Sequence, residues 1–177
     1  VALTKPQGDM MMKHATEQSS GSGTAIDFTG IPAGTTMVII GFVAVSHNGA
    51  AGGMLRVQLG SGGALDTTAN YHTSAGIATT TPNVTIGGGV TNQSSMSITH
   101  NGSGAAAVLS GSIILTLQDQ VNNGWNMIAI MGRVDSTVSS PNWSAGYKGL
   151  SAALDRVRIS DNAGNSFDAG SINIAYF

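Results

Sequence analysis

The chemistry open to this 177-residue chain lies first in its four histidines and nine carboxylates. His14 stands in the N-terminal stretch, His47 and His100 sit beside Asn-Gly pairs, and His72 follows Tyr71. None shows the i, i+4 spacing that puts two imidazoles on one metal. His47 and His100 converge, with Asp66 or Asp119 beside them, only if two hairpin tips meet at one end of the domain; turn histidines are more often solvated. Glu17 is the one glutamate. A glycosidase-type carboxylate pair would therefore draw on Asp27, Asp66, Asp119, Asp135 and Asp168, which the sequence places at no working distance.

Other catalytic signatures are missing. The 25 glycines form no Walker sequence, no dinucleotide fingerprint and no Gly-x-Ser-x-Gly elbow, and serve turns instead. "DNAGN" (161–165) lacks the ligand alternation and distant Glu of a calcium loop and reads as a turn. "NVT", "NQS", "NGS" and "NWS" match the glycosylation sequon, as chance provides in a chain rich in Asn, Ser and Thr. With no cysteine there is neither a disulfide nor a thiolate site. The expectation is a non-enzymatic protein without cofactor or metal. A glycan-degrading enzyme is the rival from another class, supported by the scattered aspartates alone.

Composition narrows the partners. Charged residues make up 9% of the chain and the formal net charge is −2, so no basic surface exists for nucleic acid. No apolar run approaches the roughly 18–20 residues of a membrane span, and "VALTKPQGDMMMKH" lacks a signal peptide's apolar core. The reading is a soluble chain, made in the cytoplasm, with neither nucleic-acid binding nor membrane insertion.

The elements that must position these groups are extended ones. Residues 1–23 hold Pro6, Gly8 and the run Met10, Met11, Met12 before the linker-like "SSGSG", and read as an anchoring arm whose methionines dock on a partner or cap the domain's own core. Removing residues 1–20 should then leave a folded domain. From residue 24 to 177, short runs rich in Val, Ile and Thr alternate with Gly, Asn and Pro clusters. Nine of them read as strands: "TAIDFT", "TMVIIGFVAVS", "GMLRVQLG", "NVTIGG", "SMSITH", "VLSGSIILTLQ", "WNMIAIMGRVD", "DRVRIS" and "SINIAYF". Asn-Gly in "SHNG", "THNG" and "VNNG" signals hairpins, because both residues reach positive φ readily. "NWSAGYKGLSAALDRV" has room for a helical turn around residues 150–154. The fold class is all-β: an antiparallel β-sandwich of jelly-roll type, one domain behind an arm.

Trp125, Trp143 and Tyr147 lie in or beside loops and are the candidate surface contacts, able to stack on a sugar or anchor an interface, or else to fill the core at a strand edge. In "LDRVRISDNAGNSFDAGSINIAYF", Asp155, Arg156 and Arg158 alternate with Leu154, Val157 and Ile159, so the charges stand opposite a packed face and are the candidate subunit interface.

"LDRVRI", "FDAGSINIAY", "SGTAIDFTGIPAG" and "VQLGSGG" resemble sequences of small bacteriophage tail-fibre and other virion-surface proteins, over residues 22–177. The chain departs from that pattern after "IPAG", where "TTMVII" replaces a more basic, aromatic-containing stretch. The resemblance implies a virion protein made in the bacterial host cytoplasm and assembled as a homotrimer. Its partners would be other virion proteins, of tail or capsid, with host surface glycan as a further ligand. Two placements follow: a tail-fibre-type head for host attachment, or a capsid decoration protein.

Overall fold

The strands form where apolar residues recur every second position, and that period selects the face each strand buries. A computed structural model describes residues 12–49, 53–78, 89–99, 104–135 and 139–177. Fourteen strands run through them: β1 (Lys13–His14), β2 (Gln18–Ser19), β3 (Ala25–Thr29), β4 (Met37–His47), β5 (Leu55–Ser61), β6 (Ala64–Leu65), β7 (Tyr71–Ile77), β8 (Gly89–Gln93), β9 (Met96–Ser97), β10 (Val108–Asp119), β11 (Gly124–Val134), β12 (Ser139–Gly149), β13 (Leu154–Asp161) and β14 (Phe167–Tyr176). No helix occurs among the described residues, and residues 151–152 form a bend where a helical turn had room. The protein is all-β and antiparallel.

Two sheets share the interior. The large one runs β1-β14-β4-β10-β11-β12-β7-β8, with β2 also on β14; the small one runs β3-β13-β5-β6, with β9 on β5. Ile40, Ile113, Met127 and Ile174 from the large sheet meet Phe28, Val57, Leu59, Val157 and Ile159 from the small one in a single core cluster. Each fully buried aliphatic side chain there is worth about 1.5–3 kcal/mol.

Residues 13–23, read as part of an arm, lie along β14. Lys13 and His14 pair with Tyr176 and Ala175, Gln18 pairs with Ile172, and the Ser20 hydroxyl donates to the Ala169 carbonyl at 2.6 Å. Met10 and Met11 lie outside the described residues, and Met12 is exposed. Asp168 to Gly170 bend β14: pairing with β4 slips twice there, and Gly170 (φ 92°) stands against Ala44, itself at φ 51°.

The three Asn-Gly pairs do not all act as expected. The Asn-Gly of "VNNG" does close the β10–β11 hairpin, with Asn123 at φ 47°. That of "SHNG" does not close a hairpin, because β4 and β5, on either side of it, belong to different sheets. "NVTIGG" and most of "THNG", His100 included, lie outside the described residues. β7 and β12 were not expected as strands at all.

Candidate functional site

β12 is built inside out. Its inward positions are Ser140, Asn142, Ser144 and Lys148, all buried, while Pro141, Trp143, Ala145 and Tyr147 point away from the core. Ser144 is satisfied by donating to the Ile98 carbonyl at 3.3 Å. Pro141 is tolerated because its carbonyl takes the Ala78 N–H just beyond the end of β7, so the donor it lacks falls where the neighbouring strand has stopped.

The outward residues of β12 continue across the large sheet in register. One row runs Ile39, Ile114, Ile128, Ala145, Ser74; the next runs Gly41, Ser112, Ile130, Trp143, Gly76. Ile128 is 57% exposed, Ile130 63%, Trp143 43% and Tyr147 38%. Trp143 lies close over β7: a Cβ added at Gly76 would stand 2.7 Å from its indole, so a side chain there would displace the ring. A third row, Met37, Thr116, Asn126, Tyr147, His72, is more polar and edges a shallow groove of about 690 Å³.

Two of the three aromatic candidates, Trp143 and Tyr147, thus share one surface. Trp125 does not: it is 1% exposed and packs in the core, because it has the same parity along β11 as Met127, Ala129 and Met131. Asp155, Arg156 and Arg158 stand on β13 of the small sheet, partly exposed, and are engaged within the chain. Arg156 donates to Asp155 at 2.8 Å, and Arg158 grips Asp27 through two bonds of 2.6 Å. The Asp27 hydrogen bond, stronger than the effect of partial burial, holds the Arg158 guanidinium above its ordinary pKa.

The aspartates weighed as a catalytic pair each have a different partner. Asp27 takes Arg158, Asp66 takes Lys148 at 2.7 Å, Asp135 takes Arg133 at 2.6 Å, Asp119 bonds Val121, Asn122 and the Asn122 side chain in its own turn, and Asp168 accepts from the Ser46 hydroxyl. His47 is not solvated but 1% exposed. Its Nδ1 accepts from Gly49 N–H, and its Nε2 lies 3.9 Å from Asp161 rather than beside Asp66 or Asp119. Among the described residues no group of three or more His, Cys, Asp or Glu is arranged to hold a metal.

Lys148 was not among the residues singled out from the sequence. Its ammonium is fully buried, paired with Asp66, bonded to Thr68 Oγ1 at 3.0 Å and to Asn70 Oδ1, and 4.4 Å from the centre of the Tyr71 ring. Asp66, Thr68 and Asn70 also line a polar pocket of about 430 Å³ whose other walls include Ser61 and Ser151. Burial pushes the Tyr71 hydroxyl far above its ordinary range. Burial alone would raise the Asp66 carboxyl too, but the bonds from Lys148 and Thr68 prevail and hold it below the usual carboxylate value.

A carboxyl whose pKa is lower folded than unfolded stabilises the fold above about pH 4, and that contribution disappears as pH falls through the folded value. Urea midpoints measured from pH 7 to 2 are therefore expected to drop below about pH 4. Asp66→Asn should flatten part of that drop; an unchanged profile would mean Asp66 is not a source of it.

Comparison with known proteins finds no family model, no curated protein and no solved structure that matches this chain.

Proposed function

We propose that this chain is a non-enzymatic bacteriophage virion protein, present in several copies per particle, whose domain acts as a tail-fibre-type head that attaches to the host surface. The observation that carries the reading is the outer face of the large sheet, where Ile128, Ile130, Trp143 and Tyr147 stand exposed on two long neighbouring strands. A surface of that kind belongs to a protein that works against partners. The two-sheet arrangement is read as jelly-roll type. The terminal motifs add the resemblance to virion-surface proteins, and with it the expectation of a homotrimer.

Weak contacts between host glycan and each copy would be multiplied by copy number.

A capsid decoration protein is the second reading. Met12, exposed at the start of β1 on the edge of the large sheet, favours a chain fixed to its particle through the methionine run. Labelling intact particles with an antibody against this chain, viewed by electron microscopy, separates the two: signal at the tail tip supports attachment, and signal over the head supports decoration. Particles carrying no label would overturn both.

A further inference from the structure

We propose that the outer face of the large sheet packs against the same face of further copies of this chain, around a rotation axis passing close to Ile128 and Ile130. The proposal rests on the reading above that the chain works in several copies.

The strands of this face are composed for burial on both sides. β4 reads MVII, β10 reads SIIL and β11 reads MIAIM, with apolar residues at both parities. A strand with one wet face alternates apolar with polar residues; a near-continuous apolar run marks a strand covered on both faces. The single chain covers only one side here, leaving Ile114, Ile128 and Ile130 in solvent. β12 makes the same point from the opposite direction. It turns Ser140, Asn142, Ser144 and Lys148 inward and its two aromatics outward, an order that is unfavourable unless the outward side is also buried.

Size and charge then select the occupant. Val43, Val108, Ile114, Ile128, Ile130, Val134, Trp143 and Tyr147 expose on the order of 800 Å² between them, which is one partner's share of a standard stable interface and more than the ~300–600 Å² patch of a typical monomer. The outward positions of β4, β10, β11, β12 and β7 within the three rows hold no Asp, Glu, Lys or Arg. Such a face offers a charged partner nothing to recognise, and it has no like charges to repel a copy of itself. Its relief is also self-complementary. The ridge of Ile114, Ile128, Ile130 and Trp143 is flanked by low ground at Gly41, Ser110, Ser112 and Gly132 on one side and Ala145 and Ser74 on the other. Around a symmetry axis, the ridge of one copy can settle into the low ground of the next.

The test is the solution mass of the full chain by light scattering, beside the double variant Ile128→Asp/Ile130→Asp. The unaltered chain is expected at a multiple of 17.8 kDa and the variant at 17.8 kDa, a weakening of about tenfold or more. Because the chain has no cysteine, Ile130→Cys gives a second readout on a less disturbed face. On mild oxidation it should cross-link copies, whereas Val121→Cys, on the 88% exposed residue of the β10–β11 turn, should not.

An unaltered chain that stays at 17.8 kDa at tens of micromolar overturns this proposal and leaves the particle reading to the labelling experiment; the face would then be covered by residues 1–11 or by a different protein. An oligomer unmoved by the double variant, with Ile130→Cys cross-linking no better than Val121→Cys, overturns the face alone. Should the double variant fail to fold, the cross-linking comparison decides. Particle labelling is independent of all these outcomes.

Discussion

Lys148→Ala is expected to destabilise the fold by about 3 kcal/mol, the lower end of what breaking a buried ion pair costs, because Asp66 keeps some contact with solvent. The substitution takes the counter-charge from Asp66 and one donor from the side-chain oxygen of Asn70, leaving each only its bond from Thr68, and it removes the cation from the face of Tyr71. It also opens space beside Trp125, the cross-strand partner of Lys148 in β11. The converse change, Asp66→Asn, leaves a fully buried ammonium without its counter-charge and should cost a comparable amount. Lys148→Met combined with Asp66→Asn should recover most of the loss, since exchanging a whole buried pair for neutral groups is often close to neutral. Urea denaturation of Lys148→Met, Asp66→Asn and their combination supplies the cycle. A Lys148→Ala chain within about 1 kcal/mol of the unaltered protein would show that the pair contributes no more than a surface ion pair does.

Asp161→Ala should be nearly as damaging, at about 2–4 kcal/mol from several lost bonds to a buried carboxylate. One oxygen of Asp161 accepts from Ala163 N–H at 2.7 Å, from Asn165 N–H at 3.2 Å and from the Asn165 side chain at 3.0 Å. That oxygen organises the turn leading from β13 into β14, and the second oxygen faces the buried His47. Asp161→Asn retains a carbonyl oxygen for the turn and should cost less. Amide exchange reads the effect locally: Ala163 and Asn165 should lose protection in Asp161→Ala, and unaltered protection at both would show that the turn holds without the carboxylate.

What could be read in the sequence follows from how each strand is buried. β3, β4, β5, β10, β11, β13 and β14 were legible because each carries enough β-branched and apolar residues to announce itself. β12 was not, since its inward side is Ser, Asn, Ser and Lys, and its Pro and glycines imitate a loop. β7 was hidden for a related reason: "YHTSAGI" buries Tyr71, Thr73 and Ala75, a set too mixed to stand out. The fate of the two tryptophans shows the limit most clearly. Both stand next to an Asn in a stretch that also holds Gly, yet Trp125 is core and Trp143 is surface, and β11 is apolar at both parities, so alternation could not say which side was inside. The buried site at Lys148 draws on Asp66, Thr68 and Asn70, some eighty residues away. No local spacing could have brought them together.

The position of β14 has a consequence for how the domain is made. This strand emerges from the ribosome after all the others, yet it lies between β4 on one side and β1 and β2 on the other. The earliest segments therefore wait, unpaired, for a partner about 150 residues downstream, as the Ser20–Ala169 bond shows with its separation of 149. Closure over such a distance makes folding slow. A chain interrupted before Phe167 would present the bare edge of β4, rich in Ile and Val, to its neighbours, and aggregation rather than a partly working domain is its expected fate.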